Sequence, residues 1–209
     1  LSISAVAWSP DGTRLLTAAE DHSVRVWDAT TGADLLTLGV GGSGVGGAVA
    51  WSPDSTRILT SFDDASARIW DASGGQVVRT LSGHTDHLTA VAWSPDGTRL
   101  LTAAEDHSVR VWDATTGADL LTLGVGGSGV GGAVAWSPDS TRILTSFDDA
   151  SARIWDASSG QVVRTLSGHT EHLTAVSWSP DGTRVATASD DGTARVWDVT
   201  TGTELLRVG

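Results

Sequence analysis

The chain has 209 residues, a formal net charge of −12 at pH 7 and no cysteine. The lack of cysteine excludes disulfides, thiolate metal ligands and a cysteine nucleophile. The acidic balance argues against a nucleic-acid partner, because binding to phosphates needs clustered Lys and Arg. No apolar run reaches the roughly 18–20 residues of a membrane span, so we expect no membrane partner. The composition does not fix the compartment, and we favour the cytoplasm.

The first 38 residues predict four short strands in succession. SAVAW is a short apolar strand ending at Trp8, and the SPDG that follows predicts a hairpin turn. A second strand runs from Thr13 to Ala19, and after a polar turn a third strand with alternating valines ends at Trp27. A Thr-Thr-Gly turn precedes the fourth strand. One such antiparallel meander cannot bury both of its faces alone, so we expect it to stack on neighbours.

The same unit returns along the whole chain. The WSPD motif recurs at Trp51, Trp93, Trp136 and Trp178, at steps of 43 and 42 residues. We therefore predict an all-β protein with one array of five four-stranded units, at about residues 1–40, 41–82, 83–125, 126–167 and 168–209.

A longer period lies above this one. Residues 5–85 match residues 90–170 except at Gly74 and Ser159. Such near-identity indicates recent duplication or deliberate design. Because the chain begins at Leu1 and contains no methionine, we expect a segment of a longer protein or an engineered protein.

The SPDG hairpins are not equal in every copy. Gly12 suits the left-handed position of the turn, whereas Ser55 and Ser140 occupy it in the second and fourth copies. A left-handed residue other than glycine costs roughly 1 kcal/mol. We therefore expect these two hairpins to be looser.

Two kinds of connection alternate between the copies. A glycine-rich form spans residues 39–47 and 124–132, and a form with histidines spans residues 81–91 and 166–176. Glycine-rich loops can bind anions, but these lack the GK[ST] ending of a phosphate loop. We expect flexible connectors, and no cofactor.

The Gly-His to Trp-Asp spacing and the SPDG hairpin resemble the WD-repeat (WD40) β-propeller family across essentially the whole chain. The resemblance implies a hydrogen-bonded tetrad of Trp, Ser/Thr, His and Asp in each blade. The third copy can supply Trp112, Thr102, His84 and Asp106, and the fifth copy can supply Trp197, Thr187, His169 and Asp191. A buried indole N–H needs an acceptor, and a neutral imidazole can link a hydroxyl to a carboxylate.

The other three copies depart from the tetrad pattern. They retain Trp, Thr and Asp, but Gly42 and Gly127 stand at the His position in the second and fourth copies, and the first copy starts after it. We expect no full tetrad there unless water substitutes.

Groups of His, Asp and Thr could also indicate a hydrolytic triad, and the SPDG carboxylates could indicate calcium. We favour structural roles for both, because the Thr is needed by the Trp and each hairpin offers only one carboxylate. No metal site and no enzymatic activity are expected.

The resemblance implies that partners meet the face carrying the connections and the turns between second and third strands. We call this the loop face. Its candidate residues are Glu20, His22, Phe62, Asp63, Asp86, His87, Glu105, His107, Phe147, Asp148, Glu171 and His172. For Phe62 and Phe147 we favour packing between blades over partner contact, and the acidic residues could be a solvated rim.

The resemblance implies a non-enzymatic scaffold that binds protein or peptide partners through this face. The alternatives are an engineered array without a natural partner and a sensor of small ligands or sugars. The chain begins with an inner strand and ends with an outer strand, so each blade is complete in itself. No strand is left over to pair with another blade and close a ring. We therefore expect an open arc, completed by further blades or by self-association.

Overall fold

A computed structural model describes residues 2–38, 45–124 and 130–209, and all regular structure in these ranges is β-strand. Twenty strands form five sheets of four antiparallel strands, each sheet built from consecutive strands. The expected all-β fold of stacked four-stranded units is thus confirmed.

The bounds of the strands repeat from sheet to sheet. The first sheet contains β1 Ile3–Trp8, β2 Arg14–Ala19, β3 Val24–Asp28 and β4 Asp34–Leu38. The second contains β5 Val45–Trp51, β6 Arg57–Phe62, β7 Ala67–Asp71 and β8 Val77–Leu81. The third contains β9 Leu88–Trp93, β10 Arg99–Ala104, β11 Val109–Asp113 and β12 Asp119–Leu123. The fourth contains β13 Val130–Trp136, β14 Arg142–Phe147, β15 Ser151–Asp156 and β16 Val162–Ser167. The fifth contains β17 Leu173–Trp178, β18 Arg184–Ser189, β19 Ala194–Asp198 and β20 Glu204–Val208.

Each SPDG hairpin is tied together by its own serine and aspartate. In the first sheet, the Ser9 hydroxyl donates to Asp11 Oδ1 at 2.6 Å, and the backbone N–H of Thr13 donates to the same oxygen at 2.9 Å. These hydrogen bonds to the charged form, that of Ser9 first, hold the pKa of Asp11 well below its ordinary value. The turn is thereby fixed in one geometry at both ends.

The serines at the left-handed position also have a role between sheets. Ser55 and Ser140 both have φ of 60°, as the sequence predicts. Each is buried, and the hydroxyl of Ser55 accepts a hydrogen bond of 3.1 Å from the backbone N–H of Asp11 in the preceding sheet. This bond offsets strain that we expected to loosen the hairpin, and it locks neighbouring hairpins together.

The sheets pack face to face in chain order. We call the face that meets the preceding sheet the N-side face and the opposite one the C-side face. Leu16, Val26 and Leu38 on the C-side face of the first sheet form one core with Trp51 and Ile58 on the N-side face of the second. Equivalent cores join the second to the third sheet, the third to the fourth and the fourth to the fifth.

The sheets approach each other most closely at their first strands. β1, β5, β9, β13 and β17 are neighbours in that order. This places the turns between second and third strands and the connections before each first strand on one side of the array. Within the described ranges, no hydrophobic cluster joins the fifth sheet to the first.

Candidate functional site

In the third sheet, four side chains form one continuous hydrogen-bonded chain. Trp112 Nε1 donates to Thr102 Oγ1 at 2.8 Å, which lies 2.7 Å from His84 Nε2. The other ring nitrogen of His84 lies 2.9 Å from Asp106 Oδ2. The structure therefore brings together the four residues that the sequence nominates for this copy.

The fifth sheet repeats the arrangement. Trp197 Nε1 donates to Thr187 Oγ1 at 2.9 Å, and His169 lies 2.8 Å from both Thr187 Oγ1 and Asp191 Oδ2. The Thr193 hydroxyl, followed by the His169 ring, lowers the pKa of Asp191 against the effect of burial.

The imidazole of His84 serves this chain in its neutral form. Burial lowers the pKa of His84, and this effect exceeds the opposite influence of Asp106. Burial raises the pKa of Asp106, but hydrogen bonds from Ser108, Thr85 and His84 outweigh it and lower the pKa to about 2. A neutral ring that donates from Nδ1 to the carboxylate accepts at Nε2 from the Thr102 hydroxyl, so every polar atom has a partner.

This geometry leaves no reactive group for a substrate. Thr102 is fully buried, and its hydroxyl accepts from Trp112 while it donates to His84. A nucleophile must be exposed to its substrate, so the tetrad does not form a working triad. Among the described residues there is also no group of three or more His, Cys, Asp or Glu that could hold a metal ion.

In the second and fourth sheets an arginine reaches the aspartate that pairs with histidine elsewhere. Arg68 Nη2 donates to Asp64 Oδ2 at 2.8 Å, and Arg153 Nη2 donates to Asp149 Oδ2 at 2.6 Å. Trp70 still donates to Thr60 at 2.8 Å. The tetrad aspartate therefore has a charged partner in these sheets, which the sequence analysis missed.

A difference on the outer strand explains where the arginine points. In the third sheet the equivalent Arg110 pairs with Asp119, which lies opposite Trp112 in the strand register. In the second sheet Val77 occupies that register position. Because no carboxylate is offered there, Arg68 turns to Asp64, and the alternation of Asp and Val was a usable signal in the sequence.

The first sheet uses a third arrangement. Trp27 donates to Thr17 at 2.8 Å, Arg25 pairs with Asp34 at 2.9 Å, and Asp21 accepts from the Ser23 hydroxyl at 2.6 Å. Gly42 and Gly127, nominated at the missing histidine positions, lie outside the described residues, as does most of each glycine-rich connection.

Phe62 and Phe147 do not belong to the loop face, although they were among its candidate residues; they pack between sheets, which is the role that the sequence analysis favoured for them. Both are fully buried in the cores between sheets. Each ring lies 3.8 Å from the guanidinium carbon of Arg68 or Arg153 and 6.1 Å from the ring of the sheet's own WD tryptophan. The period of two explains this result, because Phe62 shares a strand face with the buried Ile58.

The remaining nominated residues of the loop face lie at the surface. Nine of them occupy the two types of turn and are exposed, and His172 is partly exposed; the full set is Glu20, His22, Asp63, Asp86, His87, Glu105, His107, Asp148, Glu171 and His172. The backbone N–H of Glu105 donates to the carbonyl of His87 at 2.8 Å, which ties the turn to the connection before β9. The two turn types therefore form one continuous edge.

His22 and His107 occupy a strained backbone position on this edge. Their φ angles are 62° and 64°, in the left-handed region that favours glycine. Ala65 and Ala150 take the same position in the second and fourth sheets, and Gly192 takes it in the fifth. The turn thus presents His22 and His107 to solvent from a defined backbone conformation.

Acidic and histidine side chains converge where the third, fourth and fifth sheets meet. They border a cleft of about 370 Å³ lined by Asp86, Thr89, Glu105, His107, Gly132, Asp148 and His172. His172 Nδ1 lies 3.4 Å from Asp148 Oδ1 across the boundary between two sheets. The lining contains three carboxylates and no Lys or Arg, which gives the cleft a negative potential.

Asp148 is one of the candidate residues of the loop face, and the structure places it in the lining of the cleft. It precedes the tetrad aspartate of its sheet, at the position that Glu105 occupies in the third sheet. Among the described residues there is no helix that is long and apolar enough to cross a membrane.

Comparison with known families gives a consistent assignment. The WD40 model, described as "WD domain, G-beta repeat", matches residues 1–28, 39–71, 75–113, 124–156 and 160–198. A stretch of 37 residues is 49% identical to Periodic tryptophan protein 2 of Saccharomyces cerevisiae. That stretch covers 18% of this chain and only 4% of the yeast protein, so the similarity reaches a small part of this relative.

Proposed function

The chain belongs to the WD40 repeat family, and from this premise we propose that it is a non-enzymatic scaffold that binds a basic protein segment at its loop face. WD40 domains commonly mediate protein–protein interactions, which supports the class of function. Fold alone does not fix the partner, so the chemistry of the partner has to come from the surface.

The acidic cleft is the observation that carries the proposal. Asp86, Glu105 and Asp148 offer three carboxylates around about 370 Å³, and no lining residue is a Lys or Arg. Complementary charge steers association and selects partners more than it adds affinity. An extended segment with Arg or Lys side chains meets this requirement, because each long side chain can place its charge between carboxylates while its backbone stays at the rim.

The rigidity of the edge supports the same conclusion. Loops held by a fixed scaffold are favourable places for binding residues. The Glu105 turn is tied to the connection before β9 through His87, and the equivalent Asp190 turn of the fifth sheet is tied to His172 by a backbone hydrogen bond of 2.9 Å. Little ordering of the protein is then needed when a partner binds.

A direct test uses a fluorescently labelled peptide rich in Arg and Lys, and a matched peptide with Glu at the charged positions. We expect the basic peptide alone to bind in fluorescence anisotropy. The double variant Glu105→Gln, Asp148→Asn should weaken its binding about tenfold, since exposed charge pairs contribute up to about 1 kcal/mol each.

The control is a second double variant on the same face but outside the cleft, Glu171→Gln with Asp190→Asn. It changes the net charge by the same amount, so it separates the cleft from the general attraction of an acidic protein for cations. Equal weakening by both double variants would remove the cleft from the proposal. Equal binding of the basic and acidic peptides would overturn the proposed class of partner.

A further inference from the structure

The two outermost faces of the array are the two halves of the contact that neighbouring sheets make inside it. We propose that the free C-side face of the fifth sheet docks onto the free N-side face of the first sheet in a second copy of this chain, head to tail. This contact is separate from the loop face and from the partner proposed for it.

Positions that are buried inside the array are exposed at its ends. Trp8 is 60% exposed, whereas the equivalent Trp51 and Trp136 are each 7% exposed. At the other end, Val208 is 53% exposed, whereas Leu38 at the same register position is 1% exposed. Inside the array the equivalent side chains pack against a neighbouring sheet, but at the two ends no described sheet covers them. Large exposed apolar surfaces of this kind mark association sites.

The first residue of each second strand shows how the contact is made. Arg14 Nη1 donates to the Ala72 carbonyl of the next sheet at 3.3 Å, and its guanidinium carbon lies 4.7 Å from the Trp51 ring. Arg99 makes the same contacts with Ala157 and Trp136, at 2.9 Å and 4.8 Å.

Arg184 is the same residue in the fifth sheet, and its contact is missing. Its side chain is 54% exposed and lies 4.0 Å from Asp181, in a loose surface pair. In the docked pair it would donate to the Ala29 carbonyl of the second copy and stack on Trp8. The first sheet contains both groups, because Ala29 and Trp8 are its equivalents of Ala72 and Trp51.

Glycines in the turn after the WD motif provide a second, independent match. Gly75 packs closely against Leu36 of the preceding sheet, and a methyl group added at Gly75 would lie 2.9 Å from the Leu36 side chain. A methyl group added at Gly160 would lie 3.1 Å from the side chain of Leu123. At Gly32 the described part of the chain places no atom within 4 Å of such a group. Leu206 stands at the register position of Leu36 and would cover Gly32 of the second copy.

The occupant follows from the difference between the two faces. The C-side face supplies arginine and outer-strand leucine, and the N-side face supplies tryptophan, carbonyl groups and glycine, so neither face complements itself. A contact between unlike faces is heterologous, and it leaves one free face of each kind on every pair. A second copy presents the required face, and four internal interfaces of the same chain show how the two kinds of face fit.

The fifth sheet has smaller side chains on its C-side face than the inner sheets. Ala186 replaces the leucine found at Leu16, Leu59, Leu101 and Leu144. Less apolar area is buried on docking, so we expect reversible association that depends on concentration.

Light scattering coupled to gel filtration, over about a hundredfold range of protein concentration, provides the first measurement. We expect the mass to rise above 21.5 kDa with concentration. A mass that stays at 21.5 kDa throughout the range would overturn the proposal.

Two variants test the direction of the contact. The double variant Arg184→Glu, Leu206→Glu disables the C-side face, and Trp8→Glu disables the N-side face. If the Trp8→Glu protein does not fold, Val6→Glu takes its place, because Val6 is 65% exposed. Each variant alone should remain at 21.5 kDa, and an equimolar mixture should form a pair of twice that mass through the one intact face of each kind. A mixture that stays monomeric would contradict a head-to-tail contact.

The controls are changes of the same type at positions that inner sheets leave exposed. Arg207→Glu lies where every other sheet has an exposed threonine, and Leu35→Glu lies where Leu120 is exposed inside the array. Both controls should associate as the unaltered chain does. Loss of association in both would indicate general charge repulsion and overturn the assignment of the two faces.

Discussion

Arg68 in the second sheet pairs with Asp64 at 2.8 Å on the side of the sheet where His84 pairs with Asp106 in the third. The same aspartate position is therefore satisfied in two ways within one chain. The choice depends on the outer-strand residue opposite the WD tryptophan, because the third sheet has Asp119 there to pair with Arg110, whereas the second sheet has Val77. Alternation of the repeat unit is thus an alternation of hydrogen-bond partners.

Replacing Arg68 by Ala should destabilise the protein by about 1–2 kcal/mol. The change removes both the ion pair with Asp64 and the guanidinium that lies 3.8 Å from the Phe62 ring. Urea unfolding measures the loss. Arg207→Ala, at an exposed position, is the control and should stay within about 0.5 kcal/mol of the unaltered protein. Equal effects would mean that the pairing of Arg68 contributes nothing.

The imidazole of the fifth sheet should matter more than an exposed one. His169→Ala leaves Thr187 and Asp191 without their shared partner and should cost about 1–3 kcal/mol. His22→Ala changes an exposed turn and should cost less than about 0.5 kcal/mol. Thermal unfolding of the two variants compares them, and similar losses would contradict the structural role of the buried histidine.

The strained turns offer a stabilising substitution. Ala65 and Ala150 both have φ of 61°, at the position where the fifth sheet has Gly192. Glycine takes this conformation without a steric penalty, so Ala65→Gly should raise stability by about 0.5–1 kcal/mol after its greater entropy in the unfolded chain is counted. Ala67→Gly, in the adjacent strand β7, should lower stability instead. A loss of stability in Ala65→Gly would contradict the strain argument.

The sequence was sufficient for features that depend on neighbours along the chain. The alternation of valines and the SPDG turn predict the four strands of each sheet, and the tryptophan spacing predicts that the sheets stack. The tetrad of the third sheet followed from the family resemblance, because its Trp, Thr, His and Asp are all retained. Local pattern and repeat period together fix these elements.

Other features depend on residues that are far apart in sequence. The sequence predicts strain at Ser55 but not the hydrogen bond that offsets it. That bond comes from the backbone N–H of Asp11, which is 44 positions away and belongs to another sheet. Phe62 adjoins a turn of the loop face, and the sequence favours its packing between blades, but the core residues that it contacts belong to two sheets and are visible only in the structure. The cleft needs three sheets to be placed side by side, so Asp148 could not be joined to Glu105 from local pattern alone.

Acid should weaken the protein in two separate steps, and His84 accounts for the first. Its folded-state pKa lies below the ordinary value of 6.5 because the ring is buried. Below about pH 6.5 the unfolded chain therefore binds a proton that the folded chain does not accept, and stability falls as pH falls. The stability contributed by neutral His84 is fully present above the pKa of His84 in the unfolded chain. It is lost as the pH falls from that value to the lower pKa of His84 in the folded chain.

The variant His84→Gln isolates this step, because it retains every aspartate. Asp106 has its pKa lowered to about 2 from 3.8, so it costs stability only at more acidic pH. Urea midpoints of the two proteins at pH 8, about 6.5 and about 5 should therefore show a difference that is largest at high pH and shrinks towards pH 5. A difference that stays constant over this range would mean that His84 takes up its proton equally in the folded and unfolded chains, and the neutral, buried imidazole inferred for the third sheet would be wrong.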